Sequence, residues 1–284
     1  MTHHTITDET TVPYRWVVLC GVWLIYFSFG LTVAALGPLV KPITDDLNMT
    51  FGEMGTVLGA WPLIYILAAL PCGFLIDRVG PRRGLVIAAV IMGVSGLLRS
   101  AADTHLTLFL AVAIFGLGGP LISIGAPKVI ALLFQGKNRG LAMGIYITGP
   151  GLGGVIAAST TNSIFLPFFD ENWRLVTCAY GFVTLFSGLM WLLLSQNAAG
   201  ELIKNAVSET TKESIPETFK HLATIPSVQL VLALSIGIFF INHGLNNWLP
   251  EIIRAQGLSA ANAGYWASIP TAVSVVSALI IPRY

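Results

Sequence analysis

Long apolar runs separated by short polar stretches make up most of the sequence. The runs cover about residues 16–40, 54–76, 84–102, 106–134, 140–168, 175–195, 227–249 and 261–282. A helix needs roughly 20 apolar residues to cross the hydrocarbon core of a bilayer. The pattern therefore predicts eight membrane-spanning helices, of which those at 106–134 and 140–168 are long enough to be tilted.

One stretch breaks this pattern, because the chain is hydrophilic and of mixed charge from Gln196 to Pro226. Such a composition is typical of a flexible linker. It divides the chain into an N-terminal six-helix unit at 1–195, a linker at 196–226, and the first two helices of an incomplete second unit at 227–284.

A weak internal repeat agrees with this division. Thr50 to Gly55 opens the second run and Ser259 to Gly264 opens the eighth, at an offset of 264 − 55 = 209 residues. Each segment has a hydroxyl residue that can cap a helix, followed by glycine five positions later. The repeat suggests that a second six-helix unit begins at the seventh helix.

Composition supports lipid as the solvent of most of this surface. The chain is 55% hydrophobic and 10% charged, whereas soluble domains carry about 25% charged residues. A net charge of +1 provides no basic face for a nucleic-acid partner.

Cys20, Cys72 and Cys178 lie in apolar runs without zinc or redox spacing, so neither a metal site nor a cofactor is predicted.

The distribution of Lys and Arg predicts the orientation. With a cytoplasmic N-terminus, ten cations lie inside and four outside. The inner ten are Arg15, Arg78, Arg82, Arg83, Lys137, Arg139, Lys204, Lys212, Lys220 and Arg283, and the outer four are Lys41, Arg99, Arg174 and Arg254. We therefore predict a multi-pass protein of the cell membrane whose N-terminus and linker are cytoplasmic.

The segment from Gly73 to Arg83 joins the second and third runs. Its distinctive residues are Gly73, Leu75, Asp77, Arg78, Gly80, Arg82 and Arg83. They match Gly-x-Leu-x-Asp-Arg-x-Gly-x-Arg-Arg, so the chain resembles the major facilitator superfamily. The resemblance implies an all-α integral membrane protein with a major facilitator-type helical bundle. It also implies that this loop gates the cytoplasmic side and that the usual partner of Asp77, a helix of the second half, is absent here. The alternative is a basic turn that fixes topology.

A second segment of that kind lies in the fifth run. Gly149, Pro150, Gly153 and Gly154 look like the Gly-Pro-x-x-Gly-Gly motif of the superfamily, which is often associated with exchangers. Proline can bend a helix, and the glycines allow close approach of a neighbour, which we expect to be the eighth helix. Plain helix packing is the alternative.

Val112 stands where many members have an arginine, so the proton-linked role of that arginine is not carried over.

Polar residues at membrane depth are costly and often functional. The candidate solute-binding residues are Lys128, Asn242, His243, Asn246, Asn247, Tyr26 and Tyr146. Lys128 either snorkels to the interface or faces a central cavity, where it attracts an anion or pairs with a carboxylate. The lack of an obvious carboxylate at its depth slightly favours an anionic ligand. The asparagine stripe and the tyrosines either line the same cavity or pack between helices.

The predicted function is that of a secondary active transporter that moves a small solute, an organic or inorganic anion, by alternating access. Pro127 and the segments 138–146 and 248–250 resemble the cyanate and nitroimidazole transporter-like branch of the superfamily. The alternative is a transporter-like sensor or a truncated membrane protein without transport. No HExxH or GxSxG motif occurs, so an enzyme is not expected, and the sequence does not indicate the coupling ion.

Overall fold

The computed structural model describes residues 14–196 and 224–280, and this part of the chain is built from helices joined by short turns. The helices are α1 (Arg15–Ala34), α2 (Val40–Asp46), α3 (Phe51–Ser100), α4 (His105–Leu133), α5 (Gly136–Thr160), α6 (Leu166–Phe168), α7 (Trp173–Leu194), α8 (Pro226–Ala255) and α9 (Ala260–Ile280). A single π-helical turn, Thr161–Phe165, joins α5 to α6. The predicted linker at 196–226 lies almost wholly outside the described residues.

Within the described ranges, six helical segments are long and apolar enough to cross a membrane. They are Arg15–Asp46, Phe51–Ser100, His105–Leu133, Asn138–Phe168, Trp173–Leu194 and Pro226–Ala255. The eighth predicted run also forms a helix, α9, but α9 is not one of these six.

The loop expected between the second and third runs is reduced to a break of one residue. α3 is a 50-residue helix interrupted only at Gly80, where φ is 80° and ψ is 156°. At 1.5 Å per residue its two arms together measure about 75 Å, which is enough for two bilayer crossings. Glycine adopts a positive φ without steric cost, and Pro81 can start the second arm because the first turn needs no backbone N–H there.

Both predicted helix caps of the internal repeat are confirmed. The Thr50 hydroxyl accepts a hydrogen bond from the Glu53 amide at 3.2 Å, and the Thr50 amide donates to the Glu53 carboxylate at 2.8 Å. The Ser259 hydroxyl accepts from the Asn262 amide at 3.3 Å. These bonds satisfy amides that have no partner inside their helices.

Successive long helices run in alternating directions, so the bundle has two ends. We call the end that carries Gly80 and the two edges of the undescribed linker the linker end. The opposite end carries the turns at 47–50, 101–104, 169–172 and 256–259, and we call it the distal end. The two arms of α3 pack against α4, and α1 lies between α5 and α7.

The expected neighbour of the fifth-run glycines needs correction. A Cβ built on Gly153 would lie 2.1 Å from the Phe27 carbonyl oxygen, and one built on Gly149 would lie 3.1 Å from the Trp23 carbonyl oxygen. Both contacts are with α1, which therefore packs most closely on α5. The eighth helix, α9, meets the same segment at other positions, where Gly154 faces Thr271. α5 continues through Pro150 without a break.

Candidate functional site

α8 contacts the first six helices near the distal end. A Cβ on Gly37 would lie 2.9 Å from the Asn247 carbonyl oxygen. The ring of Trp248 packs edge-on against Phe51, with centroids 6.0 Å apart. One helical turn earlier, the His243 ring lies 5.1 Å from the Trp61 ring. The distal half of α8 thus closes against the turn after α1 and the first arm of α3.

The other half of α8 is in a different environment. Large apolar side chains along it are exposed, including Leu230, Val231, Leu234 and Ile238, each by more than half. None of the close contacts with α1 and α3 described above occurs in this half. In the part of the chain that the structure describes, the space between α8 and the first six helices is therefore closed toward the distal end and open toward the linker end.

The polar stripe on α8 divides into two pairs. Asn246 donates its side-chain N–H to the Asn242 side-chain oxygen at 2.7 Å, and both residues are exposed. His243 and Asn247 are only partly exposed and are the members that meet the first six helices. The sequence grouped the four residues correctly on adjacent stripes, but only His243 and Asn247 face α1 and α3.

An aromatic cluster fills the space beside His243. The ring of Phe29 stacks on Phe115 at 5.3 Å and meets Trp61 edge-on at 6.1 Å. Tyr26 and Tyr146, from α1 and α5, come together with ring centroids 5.3 Å apart. The structure therefore brings the two predicted tyrosines next to each other and places Tyr26 beside Phe29, which it stacks on at 6.0 Å.

The expectation that Lys128 lacks a carboxylate at its depth is wrong. The Lys128 ammonium pairs with the Asp77 carboxylate across α3 and α4. The side chains are 42% and 31% exposed, respectively, so the pair is partly hydrated. Asp77 thus has a partner within the first unit, which is not the second-half helix that the resemblance implies. Because α3 stays helical to Val79, Asp77 lies on its last turn before Gly80 and faces α4.

The three arginines of the signature have different surroundings. Arg82 donates its Nε–H to the Ser195 hydroxyl at 2.9 Å, and its carbonyl accepts from the Trp191 indole at 3.0 Å. Arg78 and Arg83 are exposed. Arg82 thereby anchors the start of the second α3 arm to α7, next to the point where the predicted linker begins.

Arg99 was counted among the outer charges, near the end of the third run, but it does not lie on an exposed surface. It occupies the last turn of α3 and is only 1% exposed. Its Nη1 donates to the Thr32 carbonyl at 3.1 Å, and its guanidinium carbon lies 5.1 Å from the centre of the Phe115 ring. Its buried Nε has no hydrogen-bond partner among the residues that the structure describes. Its place at the end of an apolar run was the only sequence signal, and that signal equally fits a loop.

A charged cavity of about 550 Å³ lies at the distal end. Its charged lining residues are Lys41, Asp45, Asp46, Glu171, Arg174 and Arg254. Arg174 pairs with Asp46 and donates to the Ala102 carbonyl at 3.0 Å. Arg174 thus ties together α2, the α3–α4 turn and α7, while Arg254 brings α8 to the same cavity.

The family profile of the Major Facilitator Superfamily matches residues 22–284. The chain belongs to the Major Facilitator Superfamily. Its all-helical architecture, with α3 and α4 carrying the signature, is a major facilitator-type bundle, and its long apolar helices make it a multi-pass membrane protein. The cyanate and nitroimidazole branch remains a prediction.

Curated members of the superfamily match along most of this chain. The uncharacterised transporter YycB of Bacillus subtilis (strain 168) is 24% identical over 274 residues, covering 93% of this chain and 63% of the relative. The probable galactarate/D-glucarate transporter GudP of Escherichia coli (strain K12) is 23% identical over 303 residues, covering 97% and 66%. The gallate transporter of Pseudomonas putida is 28% identical over 201 residues, covering 68% and 42%. The chain thus spans about two thirds or less of the length of these relatives.

A solved superfamily structure has the same fold. The bacterial homolog of the human lysosomal transporter Spinster, in an inward-facing and unoccupied conformation, superposes with a TM-score of 0.75 at 20% identity. The match covers 96% of this chain and 64% of that structure.

Proposed function

We propose that this superfamily member is part of a secondary transporter. The transporter moves a small organic anion of the carboxylate class across a membrane by alternating access. The observation that carries the proposal is the one-sided closure between α8 and the first six helices. The contact between Asn247 and Gly37 closes the distal end, whereas the half of α8 toward the linker end is exposed.

Alternating access needs a site between two helical units that tilt against each other. Contacts confined to one end suit such a motion, because they can separate without disrupting the core of either unit. The contacts between α8 and α3 are aromatic, Trp61 with His243 and Phe51 with Trp248. Neither of these two contacts contains an ion pair. No charged group in them therefore has to lose its hydration each time the distal end closes.

The site between the units offers neutral hydrogen-bonding groups. Tyr26 and Tyr146 provide hydroxyls from the first unit, and His243 and Asn247 provide ring and amide groups from α8. A small solute with several oxygens, held between these residues, would be contacted from both units. Closure of either end around it would complete the site.

The carboxylate class is suggested by relatives. GudP is named for galactarate and D-glucarate, and the Pseudomonas putida protein for gallate. Each of these solutes carries at least one carboxylate.

We assign Lys128 a gating role with Asp77 at the linker end. The pair compensates both charges within the first unit, so an anionic solute that bound Lys128 would have to compete with Asp77.

We further propose that the protein lies in the cell membrane with its N-terminus and linker in the cytoplasm.

Uptake by the full-length protein in liposomes tests the proposal. The probes are D-glucarate, galactarate and gallate, and D-glucitol is the control because it has the glucarate skeleton without carboxylates. We expect saturable uptake of at least one carboxylate and none of D-glucitol. Binding without uptake would favour a transporter-like sensor, and neither binding nor uptake of any carboxylate would overturn the proposed substrate class.

A further inference from the structure

Arg99 makes few polar contacts for a buried guanidinium. The guanidinium has five N–H groups, yet it makes one hydrogen bond with the described residues, a donation from Nη1 to the Thr32 carbonyl at 3.1 Å. Within residues 14–196 and 224–280, the buried Nε–H has no hydrogen-bond partner. The face of Phe115 offers a cation–π contact, which is weaker than a carboxylate partner at a site without water.

No carboxylate reaches this guanidinium among the residues that the structure describes. The acidic side chains in ion pairs there are Asp45, Asp46, Asp77, Asp103 and Glu251, and their partners are other cations. At 1% exposure, Arg99 also has almost no free surface in this conformation. Burying a charge with so few polar partners costs free energy. We therefore expect a group of opposite charge to contact Arg99 in another conformation.

Arg99 contacts the aromatic cluster beside His243 through the Phe115 ring. Phe115 covers the guanidinium and stacks on Phe29, which meets Trp61. Trp61 packs in turn against His243 of α8. Opening of the distal end would remove His243 from this stack and give the rings of Trp61, Phe29 and Phe115 room to rotate.

We infer that Arg99 is a solute-binding residue, whose guanidinium receives the carboxylate of the transported anion when the distal end is open. In the present conformation Phe115 covers it. The inference rests on the proposed function and adds Arg99 as the positively charged residue of the solute site. It also gives that role to Arg99 instead of Lys128, which already has Asp77 as a partner.

Kinetics of the full-length protein in liposomes test the inference. The variants are Arg99→Gln, which removes the charge, and Arg99→Lys, which keeps it. Arg139→Gln is the matched control, because Arg139 is exposed at the start of α5. For D-glucarate and gallate we expect Arg99→Gln to raise KM by at least about tenfold, as loss of a charge-assisted hydrogen bond does. Arg99→Lys should recover part of this loss, and Arg139→Gln should match the parent.

The outcomes separate this inference from the proposed function. If the parent takes up neither probe, the proposed function fails. If the parent takes up a probe and Arg99→Gln keeps the parental KM while losing thermal stability, Arg99 is structural and the inference alone is overturned.

A second measurement applies if Arg99→Gln does not fold. Phe115→Cys is introduced with Cys20, Cys72 and Cys178 replaced by alanine and exposed to a sulfonate-bearing methanethiosulfonate reagent. We expect labelling from the distal side, slowed by D-glucarate. Absence of labelling, or labelling that D-glucarate does not slow, overturns the inference.

Discussion

Asp77 and Lys128 lie 51 residues apart in the sequence and form an ion pair that joins α3 to α4 beside the Gly80 break. The carboxylate of the superfamily signature is therefore held inside the first unit in a conformation that is open toward the linker end. We expect this pair to be exchanged or strengthened as that end closes.

Charge exchange tests the role of the pair. Asp77→Asn should reduce uptake several-fold at a near-normal amount of protein in the membrane, because Lys128 loses its partner. Asp77→Lys combined with Lys128→Asp should recover part of the activity, since contacting residues show non-additive effects. Initial uptake per amount of protein is the measurement. Activity of Asp77→Asn within about twofold of the parent would leave the signature with a topological role only.

Two glycines of α5 form a matched pair for a stability test. A Cβ on Gly153 would meet backbone atoms of Phe27 and Leu31 at 2.1 and 2.6 Å, whereas a Cβ on Gly144 meets nothing within 4 Å. Gly153→Ala should destabilise the protein by about 1–3 kcal/mol. Gly144→Ala should be neutral or stabilising by up to about 1 kcal/mol. Thermal unfolding in detergent measures both, and equal melting temperatures would contradict the close α1–α5 packing.

Cross-linking tests the closure of the distal end. Gly37→Cys combined with Asn247→Cys places two thiols where the backbones of the α1–α2 turn and α8 approach each other. A disulfide or short thiol cross-linker there should stop uptake, and a reductant should restore the disulfide-linked form. Each single-cysteine variant serves as a control. Full cross-linking with undiminished uptake would show that this contact does not open during transport.

The orientation can be read from thiol labelling of whole cells. Ser208→Cys lies in the predicted cytoplasmic linker, outside the described residues, and an impermeant reagent should not label it. Asp103→Cys is the matched control, because Asp103 is 85% exposed at the distal end and should be labelled. The cysteine-free background is needed because Cys20 is exposed. The reverse labelling pattern would invert the proposed topology.

Features that depend on neighbouring residues could be predicted from the sequence. The apolar runs gave the long helices, and Thr50 and Ser259 gave the starts of α3 and α9, because hydropathy and capping act within a few residues. The signature from Gly73 to Arg83 indicated the superfamily for the same reason. Even here, a one-residue break at Gly80 replaced the expected loop.

The candidate site depended on contacts that the sequence does not encode locally. Lys128 has no obvious carboxylate at its depth in the sequence and is paired with Asp77, while Arg99 was counted among the outer charges and is buried. α1 packs on Gly149 and Gly153 of α5, whereas α9 packs on Gly151. Helices that are apolar on every side carry little periodic signal of which face is buried or which helix lies opposite. The sequence by itself therefore determined that this chain is a bundle of membrane helices of a known superfamily. Only tertiary packing, which sets the rotation of each helix and its neighbours, decided which charges are paired and which one is buried without a carboxylate among the described residues.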